Sequence, residues 1–285
     1  MKYGFTKADV EEATERVLKR IMKQQDIYSP VAQPILYLLG GQPGAGKSTI
    51  SDRLLKENPN AIFINPDTYR ELHPQYEVIK AELQTDAVQV TVEFSGAVTE
   101  QVRRVLSDQK YNLIVEGTFR TLETPLRIAK ELKAKGYIAE LHAIAVPKDI
   151  SYVGTLDRYF VGKSKGTGRA VDKRHHDLVV EKLPIHLKAL AESGMFHVMR
   201  LHTREKEIFS TACDAEGFVK QFQREVGRCL DFEQEKKLSR RIDFVNQALM
   251  REEHKGIVMI AGTPIAEIRK ELQAILTIRN ISMER

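Results

Sequence analysis

The run Gly41, Gln42, Pro43, Gly44, Ala45, Gly46, Lys47, Ser48, followed by Thr49, has the spacing G-x-x-x-x-G-K-[ST] of a phosphate-binding loop. Its glycines let backbone N–H groups turn inward around a β-phosphate at a helix N-terminus. Lys47 offers a point charge to the β- and γ-phosphates, and the Ser48 hydroxyl is a ligand for Mg²⁺. The chemistry these residue types suit is transfer of the γ-phosphate of ATP.

Further along the chain, several side chains could complete such a reaction. Asp67, three residues beyond a short apolar run, could take a proton from an attacking hydroxyl. Following Pro66 and preceding a helical stretch, it also suits a helix N-cap, and the two roles are compatible. Glu116 ends another apolar run, where an acid can reach the metal through water or hold the acceptor. Thr118 and Arg120 follow at once, a hydroxyl and a guanidinium suited to an oxygen-rich or phosphorylated acceptor. Arg158 and Arg169 flank a stretch with three glycines and two lysines, residues 161–168, expected to be a mobile basic loop able to close over phosphates. Lys163 and Arg174 are weaker candidates of the same kind. His175 and His176, being adjacent, point about 100° apart on a helix, so they suit one metal poorly and read as surface residues.

These side chains need a frame that brings distant segments to one edge. Residues 34–39 form a strand entering the loop, and 47–57 a helix leaving it. Strands follow at 61–64, 112–115 and 138–146, with helical spacing over 77–107 and 125–135 and a stop at Gly136. Strands alternating with helices give an α/β fold with a mainly parallel sheet flanked by helices, a P-loop kinase fold. A helix spans about 149–160. Residues 173–193 read as helix interrupted at Pro184, and 195–201 with 208–211 as edge strands. Residues 7–24 carry one apolar stripe, the pattern of a packing helix. From about 215 the pattern is charged and helical, so the expected division is a kinase domain over 1–214 and a helical C-terminal appendage over 215–285.

With 285 residues, 42% of them hydrophobic, the chain can build a substantial core, which excludes global disorder. A net charge of +5 arises from 44 basic and 39 acidic residues, interspersed, which suits phosphorylated ligands without requiring nucleic acid. Two cysteines, Cys213 and Cys229, are too few for a disulfide scaffold, so a reducing cytoplasm is expected. The N-terminal stretch mixes acids and bases at helical spacing, and no run of about 18 apolar residues follows, so no membrane association is expected. The residues alone leave open a kinase of a small hydroxyl-bearing metabolite, such as a dinucleotide or an aminoglycoside-like compound, and a nucleotide-dependent switch. No helicase motif set or interleaved basic and aromatic patch favours a nucleic-acid motor.

The strings LLGGQPGAGKST, NPDTYRELHP, YNLIVEGTFRT, AVPKDISYVGTLDRY and GRAVDKRHHD, in that order between about 31 and 211, resemble the successive motifs of zeta toxins. That resemblance implies a bacterial toxin–antitoxin kinase that uses ATP and Mg²⁺ to phosphorylate the 3′-hydroxyl of the amino sugar in UDP-N-acetylglucosamine. A small protein antitoxin is implied as partner. Matched motif by motif, the catalytic base falls on Asp67, the nucleotide-binding lysine and hydroxyl on Lys47 and Ser48, and the lid arginines on Arg158 and Arg169. The acceptor-binding residues fall on Glu100, Thr118 and Arg120; without the resemblance, Glu100 is one acid on a long polar helix. Two positions depart from the family pattern: Asn65 stands where members have an acid, and Ile128 where some place an acceptor-binding threonine.

Overall fold

The computed structural model describes residues 3–83, 87–163, 168–169 and 171–283. Strands β1 (Ile35–Gly40), β2 (Ala61–Ile64), β3 (Asn112–Gly117), β4 (Ile138–Ile144), β5 (Val198–His202) and β6 (Glu207–Thr211) form one sheet in the order β2-β3-β1-β4-β5-β6. The first five run parallel, as the alternating strand and helix pattern requires, and β6 returns antiparallel on β5. β1 is apolar throughout, as a strand buried on both faces requires, while β3 and β4 are largely apolar apart from Asn112 and Glu116 in the one and Glu140 and His142 in the other.

Helices α1 (Lys7–Met22), α5 (Ala87–Asp108), α6 (Glu123–Ala134), α8 (Lys173–Glu192) and α9 (Ala215–Val226) build the larger core on one face. α1 begins at a reciprocal capping box between Thr6 and Asp9 and lays Val10, Ala13 and Val17 inward, the expected stripe. α2 (Lys47–Glu57) covers the opposite face, with Ile50 and Leu54 against Tyr37, Leu39 and Ile114. The short α3 (Pro66–Tyr69) and α4 (Tyr76–Leu83) precede α5, so the stretch with helical spacing over 77–107 is helical at 77–83 and 87–107.

A second apolar cluster joins α7 (Lys148–Lys163) to α10 (Phe232–His254), α11 (Ile265–Met283) and the short pair β7 (Met259–Ile260) and β8 (Thr263–Pro264). Tyr152, Leu156, Tyr159 and Phe160 of α7 interlock there with Ile242, Val245, Leu249, Ile268 and Leu272. The structure corrects three expectations. α8 runs through Pro184 without a break, because Leu183, Leu187 and Leu190 pin it in the main core. Residues 161–163, expected in a loop, are the last turn of α7, while 164–167 lie outside the described residues. His176, expected at the surface, is 1% exposed.

Candidate active site

β1, β3, β2 and β4 end at one edge of the sheet, where an open α/β fold gathers its ligand sites. Gly40 pairs with Gly117 and with Ala143, and Ile64 with Val115. The phosphate-binding loop after β1 therefore has the Asp67 segment, the Glu116 to Arg120 segment and the root of α7 as its neighbours.

The loop turns left-handed at Gly44, φ 73°, and Gly46, φ 101°. A Cβ on Gly44 would lie 2.1 Å from the Ser151 carbonyl oxygen, so glycine is required both for the turn and for the close approach of α7. Gly46 caps α2 without a side chain, which leaves first-turn N–H groups for an anion. Gln42 fastens the loop to the far side by donating to the Val146 carbonyl at 2.7 Å. Lys47 donates to the carbonyls of Gly41 at 2.8 Å and Gln42 at 3.3 Å. Burial pushes its ammonium down to about 8, against the opposing pull of Glu116. Ser48 and Thr49 are exposed at the mouth of the loop.

Asp67 is not the helix cap; Asn65 is, accepting from the Asp67 N–H at 3.0 Å, with Pro66 as first helical residue. The Asp67 carboxylate is thereby released to face the cleft. Arg70 holds one of its oxygens at 3.0 Å and Arg169 the other. Burial alone would raise this carboxyl; Arg169 and Arg70 outweigh it and hold it below the ordinary range. Arg70 also donates to the Val88 carbonyl at 2.8 Å, so it anchors the acid to α5. Its spacing of three residues from Asp67 on a helical stretch was the only local sign of this role.

Glu116 accepts from Ser51 at 3.1 Å, which ties the acid to α2 one turn beyond the loop. Between Thr118 and Arg120, Phe119 takes φ 52°, a conformation that costs a bulky residue about 1–3 kcal/mol. Two contacts hold it there: its ring packs where a Cβ on Gly40 would stand 1.9 Å away, and its carbonyl meets His186 Nδ1 at 2.8 Å. The strained residue splays Thr118 and Arg120 into the cleft, with an Arg120 Nη1 3.5 Å from His175 Nδ1.

The resulting cleft, about 570 Å³, has Lys47, Asp67, Glu116 and Arg158 in its walls. Thr118, Arg120, Ile128 and Arg169 complete the polar and apolar lining. Arg158 projects from within α7 into the open cleft, where partial desolvation and Arg169 disfavour its charge while Asp67 and Glu116 favour it. Two arginines thus meet one carboxylate and one lysine in the cleft, an arrangement able to stabilise negative charge developing on a transferring group. Glu100 is not brought into the cleft. It lies one turn beyond Gly96 on α5, bound to the buried Arg103 and to Arg127 of α6. Lys163 is paired with Glu252, and the exposed Arg174 lies 3.8 Å from Asp172.

His176 has a role its neighbours in sequence do not suggest. Its Nε2 meets Ser151 Oγ at 2.9 Å and its Nδ1 meets Asp177 at 3.2 Å. This resembles a hydrolytic triad in composition only: Ser151 is fully buried and donates to the Lys148 carbonyl at 2.8 Å, so no substrate reaches it. Among the described residues no cluster of three or more His, Cys, Asp or Glu side chains could hold a metal, and no helix is long and apolar enough to cross a membrane.

Known proteins resemble this chain in sequence and in fold. A family profile described as Zeta toxin matches residues 18–214. The chain is 36% identical over 204 residues to Toxin zeta of Streptococcus agalactiae, covering 70% of each chain. It is 40% identical over 178 residues to Toxin zeta of Streptococcus pyogenes, covering 61% of this chain and 62% of that one. A solved structure from the PezAT chromosomal toxin–antitoxin system of Streptococcus pneumoniae superposes with a TM-score of 0.74 at 28% identity, over 87% of this chain and 98% of that one. An AvrRxo1-ORF1:-ORF2 complex structure shares the fold, with a TM-score of 0.53 at 17% identity, over 93% of this chain and 90% of that one. The loop, the cleft and these matches lead to one conclusion: the chain belongs to the zeta toxin family, the toxin kinases of toxin–antitoxin systems.

Proposed function

We propose that this chain is a cytoplasmic kinase that transfers the γ-phosphate of ATP to the 3′-hydroxyl of the amino sugar in UDP-N-acetylglucosamine, and that an antitoxin restrains it. The observation that carries this reading is the convergence of Lys47, Asp67, Arg158 and Arg169 on one cleft whose adjoining wall carries Thr118 and Arg120. Gly41 to Thr49 bind the nucleotide, with loop N–H groups and the start of α2 facing its phosphates.

Asp67 orients the attacking hydroxyl and accepts its proton. A carboxylate held below the ordinary range is a weak base, which is sufficient because phosphoryl transfer passes through a loose transition state in which proton removal is late. Arg158 and Arg169 neutralise charge on the equatorial oxygens as the phosphoryl group leaves. The donor types fit Mg²⁺: Ser48, an exposed hydroxyl at the start of α2, and Glu116, a carboxylate in the cleft wall, are the oxygen donors that would hold it, with phosphate oxygens and water. Bound there, it would neutralise β- and γ-phosphate charge.

On the acceptor side, Thr118 and Arg120 contact the UDP-sugar, and Glu116 lies within the same wall. Glu100 acts at one remove, by joining α5 to the α6 helix that carries Ile128. Ile128 lines the cleft and offers no hydroxyl, and one neutral hydrogen bond is worth on the order of 1 kcal/mol. UDP-N-acetylgalactosamine is therefore expected to react within about tenfold of the gluco epimer. The test is incubation with Mg-ATP and each nucleotide sugar separately, following ADP release and product mass. Product from a dinucleotide or an aminoglycoside, with none from any UDP-sugar, would overturn the acceptor assignment. The toxin–antitoxin neighbour supports the partner; growth arrest on expression, relieved by coexpressed antitoxin and absent for Asp67→Asn, would test it.

A further inference from the structure

The phosphate-binding loop must point its N–H groups at the ligand, so its carbonyls must point away and be held there. Lys47 accounts for those of Gly41 and Gln42. The carbonyls of Gly44 and Ala45 are held by a residue 159 positions downstream of Ala45. Arg204, in the tight turn between β5 and β6, donates from Nε to the Ala45 carbonyl at 2.9 Å and from Nη2 to the Gly44 carbonyl at 2.6 Å. The same Nη2 lies 3.4 Å from the carbonyl of Ile150 at the start of α7.

Three features show that the fold is built around this contact. The turn is stiffened by Thr203, whose N–H donates to the Lys206 carbonyl at 2.8 Å and whose hydroxyl accepts from the Lys206 N–H at 3.2 Å. Gly154 of α7 leaves the space: a Cβ there would lie 2.7 Å from the Gly44 carbonyl oxygen and 3.0 Å from Arg204 Nη2. Arg204 Cγ stands 3.1 Å from the position of a Cβ on Gly46, so the aliphatic stem backs the left-handed turn while the guanidinium fixes the two residues before it. The guanidinium is partly buried, and that burial, with Arg241 nearby, pulls it down to about 10.

We propose that Arg204 is a positioning residue for the nucleotide phosphates: its planar fork locks the Gly44 and Ala45 carbonyls outward, aims the loop N–H groups inward, and adds positive charge behind them. This rests on the loop holding a nucleotide and is independent of the acceptor. A lysine keeps the charge but cannot span two carbonyls as a planar fork does.

The experiment measures ADP and ATP affinity by calorimetry without acceptor, together with nucleotide and acceptor KM, for wild type, Arg204→Met and Arg204→Lys. Arg53→Met is the control, since Arg53 donates to the Glu205 carbonyl in the same turn at 2.8 Å without touching the loop. Arg204→Met is expected to weaken ADP and raise the ATP KM by roughly 10- to 100-fold with acceptor KM unchanged, as loss of two charge-assisted contacts implies. Arg204→Lys is expected between it and wild type, and Arg53→Met within about twofold of wild type. A folded Arg204→Met with lowered Tm and wild-type ADP affinity would reduce the residue to a structural one, and Arg204→Lys indistinguishable from wild type would remove the fork. Should Arg204→Met fail to fold, Arg204→Lys carries the test. Wild-type protein that binds no nucleotide would overturn the nucleotide reading of the loop and, with it, this one.

Discussion

At the scale of single residues, the cleft separates an acid from its ordinary chemistry by neighbours alone. Asp67 is freed from capping by Asn65 and fixed by Arg70 and Arg169. Asp67→Asn keeps the shape and removes the proton acceptor, so turnover is expected to fall by about 10² to 10⁴ with ATP affinity nearly unchanged, measured by steady-state kinetics and calorimetry. Wild-type turnover would remove the assignment. Lys47 gives a pH prediction. Its folded value near 8 lies below the ordinary 10.5, so the unliganded protein binds fewer protons than the unfolded chain between those values, and stability gains from this group as pH rises through that window. Phosphates restore the charged form. Nucleotide binding near pH 8 is therefore expected to take up about half a proton, visible as a dependence of binding enthalpy on buffer ionisation, and affinity should weaken above pH 8. Identical affinity at pH 7 and 9 would contradict it. Both residues were legible in the sequence because their signals are local: a glycine spacing, and an acid just past a strand. Arg70, Arg204 and the burial of His176 were not, since each acquires its role from partners on another element. Glu100 shows the converse: the resemblance assigns it to the acceptor, while its contacts are Arg103 and Arg127.

At the scale of elements, alternating apolar and amphipathic segments announced the parallel sheet, because buried strands and one-sided helices differ in period. The sequence misled where packing overrides local preference: Pro184 sits inside α8 because three leucines hold both halves to the core. The arginine-bearing segment depends on the elements at its two ends. Lys163 at the end of α7 is paired with the buried Glu252 of α10, Arg241 binds Asp157 at 2.9 Å, and the Lys173 N–H at the start of α8 donates to Thr263 at 3.3 Å. Arg158→Ala and Arg169→Ala are expected to lower kcat more than they raise KM, because the charge they meet develops in the transition state. Glu252→Gln should shift kcat in the same direction by a smaller factor, through loosened support of that segment. Effects confined to KM would assign these groups to ground-state binding.

At the scale of the whole molecule, two of the three apolar clusters divide the work of building the site, the third seating α2 on the opposite face of the sheet. The larger fixes the sheet that gathers the loop, Asp67 and the Glu116 to Arg120 segment at one edge. The second seats α7 against α10 and α11, largely beyond residue 214, where the family match ends. That region carries no motif, so its contribution to the site was not legible from sequence; it acts through contacts with α7 and the start of α8. The central claim is that one cleft passes a phosphoryl group from nucleotide to sugar. The most direct measurement is transfer of label from γ-³²P-ATP to UDP-N-acetylglucosamine by wild type and Asp67→Asn side by side. The expected result is a labelled sugar nucleotide with wild type and, with Asp67→Asn, at least a hundredfold less at equal nucleotide binding. ADP release by wild type with no label on the sugar would contradict the account.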